Sequence, residues 1–341
     1  MDDLGGTSCL LDGLSEAAVI AVDGRVAAAN GAARALLGEA IEGAALEQVI
    51  SHPAALEALE RPSSDSAEGV ELTGLGTSRR HWLMRVAPLD DGTSLIRFVD
   101  RSEARAAEQM RVDFVANASH ELRTPLATLI GYTETLREQS DEIDSGTRDR
   151  FLSVVHDEAR RMQRVVEDLI SLSRIEAEKF SAPTDAVALD TLIDQAIDGA
   201  RRIADERGSE LVRDVGSSLP PVAADRSQIL QLLDNLLTNA LRYGEPGTPV
   251  SVAARAEGPM VHVSVADQGE GIAPEHIARV TERFYRVDTS RSRSLGGTGL
   301  GLSIVKHIVE RHRGRLSIDS IPGRGTVVHV LLPVAAGELV S

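Results

Sequence analysis

A histidine followed directly by a carboxylate is the clearest candidate for chemistry in this sequence. His120 and Glu121 lie in the stretch Phe114–Leu126, and Thr124 follows four residues after the histidine. A neutral imidazole nitrogen can attack a phosphoryl group as a nucleophile, and a neighbouring carboxylate can take or orient the proton on the other nitrogen. These residue types are therefore compatible with phosphoryl transfer at His120. The plainer alternative is a surface histidine on a bent bundle helix.

The residues around His120 predict a long helix packed in a bundle. His120 lies beside an apolar series, and Thr124 lies one turn, about 6 Å, along the same flank. Pro125 removes one N–H from the helix interior, so we expect a kink there. Such a bundle would hold His120 rigidly and leave its imidazole open to a reactant. The series, in steps of four and three, is Val115, Ser119, Leu122, Leu126, Leu129, Thr133 and Leu136.

Two asparagines later in the chain are suited to a magnesium ion that carries phosphates. Asn235 and Asn239 lie four residues apart and therefore on one face of a predicted helix. Their amide oxygens can bind Mg²⁺ without adding repulsion toward an anion. Arg242 lies on the adjoining face, where it can contact phosphate. An asparagine pair on a helix is otherwise commonly polar surface.

Two glycine-containing segments complete the set of candidate nucleotide contacts. Asp267 follows a predicted strand and can accept a hydrogen bond from the exocyclic amine of adenine, while Gly269 and Gly271 let backbone approach a planar base. Gly296–Leu302 opens the next predicted helix, whose free N–H groups suit phosphate. This segment is neither the dinucleotide fingerprint nor a Walker motif, because it lacks the acidic strand of one and the Gly-Lys-Ser/Thr of the other.

The composition describes an acidic globular chain. Its 341 residues, 42% hydrophobic and 26% charged, are enough for two or three domains. The net charge of −16, with no long basic stripe, argues against direct binding of nucleic acid. The single cysteine, Cys9, suits a reducing compartment. No signal peptide is evident, and no apolar run reaches the ~20 residues of a membrane span. We expect a cytoplasmic protein, or the cytoplasmic part of a longer inner-membrane receptor.

The first hundred residues are predicted to form a small domain of strands and short helices. Asn30 is expected to cap an Ala-rich helix that ends at Gly38. His52, His81 and Trp82 could line a haem or flavin pocket, but scattered single residues more often fill a core or surface. A dimerising spacer is an equal alternative. Strands are predicted at Ala17–Val22, Arg25–Ala29, Val70–Gly74, Arg80–Ala87 and Thr93–Val99.

A helical hairpin is predicted to carry His120. A helix over Asp100–Gln109 should run into the helix of His120, and a loop is expected at Gln139–Gly146. Two antiparallel helices cannot bury such broad apolar faces, so we expect two hairpins to pair into a dimeric four-helix bundle. The predicted inner face of the second helix is Phe151, Val155, Ala159, Met162, Val166, Leu169, Ser173 and Glu176, flanked by Val154, Val165 and Leu172.

The remainder of the chain predicts helices packed on a sheet. A boundary is expected at Ser181–Thr184, and the polar stretch Pro274–Leu295 reads as a mobile lid over the nucleotide. Asp225 is expected to cap a helix that ends at Gly244. The predicted helices are Leu189–Glu206, Arg226–Tyr243 and Gly299–Arg313, and the predicted strands are Glu210–Val215, Pro249–Ala256, Met260–Ala266, Arg315–Ser320 and Gly325–Leu332.

These segments resemble those of a known family. His120–Leu126 is similar to the phosphoacceptor box of the sensor histidine kinases of two-component systems, and the later boxes resemble their Bergerat-type ATP-binding domain in order and spacing. The segment before them resembles a PAS sensor domain. The phrasing near His120 and in the PAS-like segment is similar to sensors of the phosphate-starvation regulon.

The resemblance implies roles for individual residues. The residue matching Glu121 is the base for His120, and the one matching Thr124 positions water for phosphatase activity on the partner. Arg286 matches an arginine that reaches the γ-phosphate, and Asn235 and Asn239 match residues at the Mg²⁺ site. The ATP-binding role falls on Asn235, Asn239, Arg242, Tyr243, Asp267, Gly269, Gly271, Gly297, Gly299, Leu300 and Gly301.

We therefore expect a multidomain α+β chain. The predicted domains are a PAS-like α/β sensor domain over residues 1–100, a dimerising phosphoacceptor hairpin over 101–180, and an α/β sandwich that binds ATP over 184–335. The predicted activity is that of an ATP:protein-histidine phosphotransferase, with ATP and Mg²⁺ as cofactors. It phosphorylates His120 and passes the phosphoryl group to an aspartate in the receiver domain of a response regulator, which it also dephosphorylates.

Two other functions fit parts of the sequence. An ATPase of the chaperone and mismatch-repair type resembles the same nucleotide fold but lacks a phosphoacceptor box. A scaffold that dimerises and holds its partner would keep the hairpin without needing phosphoryl transfer. Phosphorylation of His120 separates both from the histidine kinase.

Overall fold

The computed structural model describes residues 10–60, 69–75, 80–89, 92–138, 143–216, 218–287 and 297–335. The chain divides into two compact units, Met1–Val115 and Ala116–Ser341. Each unit has its own sheet. Among the described residues, no helix combines the length and the apolar character needed to cross a membrane.

The first unit is built on a five-stranded antiparallel sheet with the order β2-β1-β5-β4-β3. Its strands are β1 (Ala17–Val22), β2 (Arg25–Ala29), β3 (Val70–Thr73), β4 (His81–Pro88) and β5 (Thr93–Asp100), and its helices are α1 (Gly31–Leu37), α2 (Leu46–Val49) and α3 (Pro53–Glu60). Helices α1 and α3 pack on the sheet around a core that includes Ile50, Leu72 and Phe98. The predicted strands are confirmed to within one residue at each end.

Asn30 joins three parts of this unit through its buried side-chain amide. Its Oδ1 accepts hydrogen bonds from the backbone N–H groups of Ala18 at 3.0 Å and Ala33 at 2.9 Å. Its Nδ2 donates to the carbonyls of Glu16 at 2.7 Å and Leu11 at 3.1 Å. The predicted cap of α1 is therefore confirmed, and the same side chain also fixes the segment that precedes β1.

Two long helices follow, α4 (Ser102–Glu138) and α5 (Ser145–Ala177). The division between the two units falls within α4, which continues through Pro125. The predicted loop at 139–146 was wrong at its end, because α5 already begins at Ser145. The side chain of Asp144 caps the helix by accepting hydrogen bonds from the N–H and hydroxyl of Thr147. Residues 139–142 of that loop lie outside the described residues, and the kink at Pro125 stays a prediction.

The hairpin exposes part of its predicted apolar face. Within the chain, α5 buries Arg161, Val165, Leu172 and Ile175, of which Val165 and Leu172 were predicted to flank the inner face. Val166, placed on that face by the sequence pattern, is 42% exposed. Other apolar side chains exposed on the two helices are Met110, Val112, Val115, Leu126, Ile130, Leu152 and Ile170.

The rest of the second unit is an α/β sandwich, as predicted. Its sheet has the order β11-β12-β10-β9-β7, antiparallel except for the parallel pair of β7 and β9. The strands are β6 (Ala186–Val187), β7 (Leu211–Val215), β8 (Val222–Ala223), β9 (Val250–Glu257), β10 (Met260–Ala266), β11 (Arg315–Ile321) and β12 (Gly325–Pro333). The helices are α6 (Leu189–Arg207), α7 (Arg226–Tyr243), α8 (Pro274–Ile277) and α9 (Gly301–Arg311).

Helix ends in this sandwich follow local chemistry. Asp225 caps α7 by accepting from the N–H groups of Ser227 and Gln228, and the helix ends before Gly244 as predicted. The predicted start of α9 at Gly299 was wrong by two residues, because Gly299 has φ +74° and cannot belong to a right-handed helix. The short strands β6 and β8 were not predicted, since two residues carry no periodic pattern.

Candidate active site

A cavity of about 420 Å³ lies at the centre of the second unit, between α5, α7 and the loops that precede α8 and α9. Its walls are mixed, with aliphatic side chains, arginines and carboxyl groups. Most of the predicted nucleotide residues line it: Asn235, Asn239, Arg242, Tyr243, Asp267, Gly271, Arg286, Gly297, Gly299 and Gly301. The two glycine-containing segments, which are distant from each other in sequence, therefore meet α7 at one site.

Gly269 and Leu300 are two predicted contacts that do not line this cavity. Leu300 is fully buried. Gly269 faces the end of α7, where a Cβ atom would overlap the Tyr243 carbonyl. Its N–H donates to Oδ1 of Asp267 at 2.8 Å. Gly269 thus shapes the backbone beneath the site, which corrects the expectation that it approaches a planar base.

Asn235 and Asn239 project toward the start of α9. A Cβ atom on Gly301 would lie 3.1 Å from Oδ1 of Asn235 and 3.5 Å from Nδ2 of Asn239. The first N–H groups of α9 have no partner within the helix, so the two side-chain amides and these free N–H groups converge here. Within the described part of the chain, no cluster of three or more His, Cys, Asp or Glu could hold a metal ion. Two amide oxygens fit Mg²⁺, which commonly takes its other ligands from phosphate and water.

Asp267 provides an acidic group at an aliphatic part of the cavity. Val265 and Val328 are paired across β10 and β12 and both line the cavity near it. Burial raises the pKa of Asp267, and hydrogen bonds with the backbones of Gly269 and Thr326 partly oppose that shift. Aliphatic walls beside one polar acceptor suit a planar base with an exocyclic amine.

Positive charge gathers at another part of the cavity. Arg164, Arg242 and Arg286 line it from α5, from α7 and from the segment that follows α8. Burial lowers the pKa of Arg242, and the charges of Arg164 and Arg286 lower it further, while Tyr243 and Asp168 raise it. The charges of these guanidinium groups would be offset by an anion in the cavity.

Glu121 connects this cavity to the histidine. His120 is exposed on α4. Oε2 of the adjacent Glu121 accepts hydrogen bonds from Nη2 of Arg161 at 3.1 Å and from Nη2 of Arg286 at 2.9 Å. The Arg286 side chain is only 5% exposed. Glu121 and Arg286 were predicted to act separately, and the structure joins the two in one ion pair.

Thr124 lies where its spacing predicted, one turn after His120. Its side chain is exposed, and its hydroxyl donates to the His120 carbonyl at 3.3 Å. The predicted lid is described up to residue 287; residues 288–296 lie outside the described residues. Its described part includes α8 and is fixed by hydrogen bonds between Tyr285 and His276 at 2.7 Å and between Phe284 N–H and the Gly299 carbonyl at 2.8 Å.

Polar contacts hold α5 against the sandwich, and sequence reasoning missed them. The Thr298 hydroxyl donates to Oδ2 of Asp168 at 2.8 Å, and the Ser171 hydroxyl donates to Gln231 at 2.7 Å. Burial raises the pKa of Asp168, which the Thr298 hydrogen bond partly offsets. A signal was present: Arg161, Val165, Asp168, Leu172 and Ile175 recur in steps of four and three, like the series on α4.

Known proteins match both halves of this site. Residues 110–178 match the family described as His Kinase A (phospho-acceptor) domain, and residues 224–336 match the family described as Histidine kinase-, DNA gyrase B-, and HSP90-like ATPase. The phosphate regulon sensor protein PhoR of Pseudomonas aeruginosa is 34% identical over 284 residues, covering 83% of this chain and 63% of that protein. The chain carries both domains of a histidine kinase.

Another relative is also named as a sensor-like histidine kinase. The sensor-like histidine kinase SenX3 of Mycobacterium tuberculosis is 40% identical over 263 residues, covering 76% of this chain and 63% of that protein. The chain thus spans less than two thirds of the length of these relatives. The predicted similarity to phosphate-regulon sensors is confirmed.

Two solved structures of histidine kinases have a fold similar to that of this chain. Histidine kinase ThkA in complex with response regulator protein TrrA has a TM-score of 0.54 at 20% identity, with 95% of this chain and 97% of that chain covered. Histidine kinase AdeS of Acinetobacter baumannii has a TM-score of 0.50 at 22% identity, with 63% of this chain and 98% of that chain covered. At these identities the likeness concerns the fold alone.

Proposed function

We propose that the chain is an ATP:protein-histidine phosphotransferase that phosphorylates His120 and then passes the phosphoryl group to an aspartate of a response regulator. One observation carries the proposal: Arg286, which lines the cavity, also contacts Glu121, the neighbour of His120. A nucleotide in the cavity would therefore have its phosphates on the side that leads to the histidine.

The nucleotide would be held by the residues around the cavity. Asp267 accepts a hydrogen bond from the adenine amine, between the aliphatic side chains of Val265 and Val328. Asn235 and Asn239 would hold Mg²⁺, which offsets the negative charge of the phosphates when bound. Arg242, Tyr243 and the glycine-rich segment Gly297–Gly301 complete the site; within that segment Leu300 is buried outside the cavity lining and would support the backbone.

Arg286 has an unused donor that supports phosphate binding. Its Nε is buried and has no hydrogen-bond partner among the described residues. Leaving such a donor unpaired costs free energy that a phosphate oxygen would recover. Arg286 can then turn from Glu121 to the γ-phosphate, where it stabilises the charge of the transition state.

The transfer itself needs a neutral His120. One imidazole nitrogen attacks the γ-phosphorus, the new N–P bond forms in line with the breaking bond to the β–γ bridging oxygen, and ADP leaves. Glu121 takes or orients the proton on the other imidazole nitrogen. Arg161, which also contacts Glu121, keeps that carboxylate oriented when Arg286 moves away.

The partners follow from the same assignment. We infer a homodimer in which the exposed apolar side chains of α4 and α5 pair into a four-helix bundle. The first unit, a five-stranded antiparallel sheet with helices packed on it, is proposed as a PAS-like sensor domain. The proposed domains remain residues 1–100, 101–180 and 184–335. A cytoplasmic location, or attachment through a segment outside this chain, and a phosphate-starvation signal stay predictions.

Labelling with γ-³²P-ATP tests the activity. We expect the chain to acquire label that survives base and is lost in acid, and His120→Gln to acquire none. His156→Gln, at an exposed histidine of α5, is the matched control and should label normally. Acid-stable label, or hydrolysis of ATP without label, would favour the ATPase of the chaperone type. A scaffold would retain its cellular output when Asn239→Ala abolishes nucleotide binding.

The proposed role of Thr124 has a separate test. Thr124→Ala removes a hydroxyl one turn from His120 and leaves the nucleotide cavity unchanged. We expect autophosphorylation to stay within about twofold of the parent and dephosphorylation of the regulator to fall roughly tenfold or more. Both rates are measured with purified regulator. An equal loss of both activities would contradict a role specific to the phosphatase reaction.

A further inference from the structure

Arg164 is a cavity residue that the assignments above leave without a role. It lies on α5, in the phosphoacceptor hairpin, yet its side chain lines the cavity of the ATP-binding sandwich. It makes no hydrogen bond or ion pair with any residue the structure describes. A guanidinium group that faces a cavity without a partner is suited to a negatively charged ligand.

The neighbours of Arg164 on α5 locate it along the path of phosphoryl transfer. Arg161 contacts Glu121 beside His120, and Asp168 contacts Thr298 in the glycine-rich segment. Arg164 lies between them on the same side of the helix, about 4.5 Å along the axis from the first and about 6 Å from the second. A group bound at Arg164 would thus lie between the glycine-rich segment and the histidine.

The local charges favour an anion at this position. Arg242 also faces the cavity, is half-buried, and makes no ion pair within the described residues. Two carboxyl groups lie beside Arg164, but both are engaged elsewhere: Glu167 with Gln163 at 2.8 Å and Asp168 with Thr298. Arg164 and Arg242 therefore form no ion pair with these two carboxyl groups, although the negative charge of Asp168 acts on both guanidinium groups.

We propose that Arg164 binds the terminal phosphate of the nucleotide, so that the hairpin completes the ATP site. The inference rests on the proposed function and adds a substrate contact supplied by the phosphoacceptor domain itself. Its consequence is discrimination: the hairpin senses whether a γ-phosphate is present. ATP should bind more tightly than ADP because of Arg164, and ATP should favour docking of α5 on the sandwich by the same factor.

The test compares ATP and ADP, each with Mg²⁺, binding to the full chain in a His120→Gln background, where no transfer to the histidine consumes the ATP. In calorimetry, Arg164→Gln should weaken ATP roughly 10- to 100-fold and ADP less than about twofold. Arg164→Lys keeps the charge and should recover most of the ATP affinity. Arg160→Gln is the matched control, because Arg160 is an exposed arginine of the same helix that contacts Gln163 and not the cavity.

The outcomes separate this inference from the proposed function. Equal weakening of ATP and ADP, or no weakening of either, would overturn the role of Arg164 while leaving a kinase that labels His120. A parent chain that binds neither nucleotide would overturn both. If Arg164→Gln lowers the melting temperature, the lysine variant decides, since a purely structural effect would not restore the preference for ATP over ADP.

Discussion

Burial governs the acid–base behaviour of single residues in the cavity. The pKa values of Asp168, Asp234 and Asp267 are all raised, and in each case burial is the largest cause. A buried carboxyl group holds its proton to a higher pH because water no longer stabilises the anion. Of these three residues, Asp267 has a proposed contact with the adenine amine. That contact needs a carboxyl oxygen that accepts a hydrogen bond.

Nucleotide affinity should therefore depend on pH through Asp267. The amine of adenine prefers the carboxylate, so affinity is full above the raised pKa of Asp267 and falls as pH drops through it, at a higher pH than for an ordinary aspartate. Calorimetric titration with ADP at a series of pH values, with circular dichroism to verify folding, measures this dependence. Asp267→Asn should bind ADP roughly tenfold or more weakly and without this pH step.

Asp234→Asn is the control for that experiment. Asp234 also lines the cavity and also has a raised pKa, but it has no proposed contact with the base. We expect its substitution to leave the pH step unchanged. A step that persists in Asp267→Asn and disappears in Asp234→Asn would assign the titration to the wrong carboxyl group and refute the proposed base contact.

At the scale of elements, close backbone approaches fix the loops that form the cavity. Gly271 has φ +69°, and a Cβ atom there would overlap the carbonyl of Ile321. The loop after β10 is thereby held against the end of β11. Gly258, in the turn between β9 and β10, has a similar φ of +58° but has nothing within 4 Å of its Cβ position.

This pair of glycines separates backbone strain from crowding. Gly258→Ala should lower the free energy of unfolding by about 1 kcal/mol, the cost of a left-handed non-glycine residue. Gly271→Ala adds a steric overlap, so we expect a further loss of ~1–3 kcal/mol and weaker nucleotide binding. Chemical denaturation of the two variants measures the difference. Equal losses for the two variants would show that the close approach at Gly271 contributes nothing.

For the whole molecule, the exposed apolar strip on the hairpin bears on assembly. Ile130 is 48% exposed and Leu126 is 46% exposed on α4, one turn apart. Two such strips, one from each chain, would bury each other in the proposed dimer. Leu126 belongs to the apolar series predicted from the spacing of residues along the helix, whereas Ile130 was not part of that series. The exposure of both side chains in a single chain is consistent with pairing of two chains.

Substitution on the strip tests the homodimer. Ile130→Glu places a charge in the proposed interface, so we expect the chain to become largely monomeric at micromolar concentration in analytical ultracentrifugation. Ile321→Glu is the control, because Ile321 is 56% exposed on β11 and lies outside the strip. If both variants sediment like the parent, the strip is not the dimer interface.

How far the sequence predicted this molecule depended on the range of the interaction. Helix α7 was predicted to the residue because its cap, Asp225, and its end at Gly244 are local signals. The ion pair of Glu121 with Arg286 was not predicted, because its partners are 165 residues apart and nothing in either local pattern specifies the other. The Thr298–Asp168 contact was missed for the same reason. Several cavity residues were predicted because the asparagine pair and the glycine-containing segments are recognisable from local residue types and spacing.

The pairing of Glu121 with Arg286 imposes an order of events. The guanidinium group of Arg286 cannot make its full set of hydrogen bonds to the Glu121 carboxylate and to a phosphate at the same time, so the two contacts compete. In the proposed reaction a γ-phosphate, with its greater charge, is the stronger competitor, and by drawing Arg286 away it frees Glu121 to take or orient the imidazole proton. In the proposed mechanism, the nucleotide would thereby release the carboxylate that assists the transfer of its own phosphoryl group.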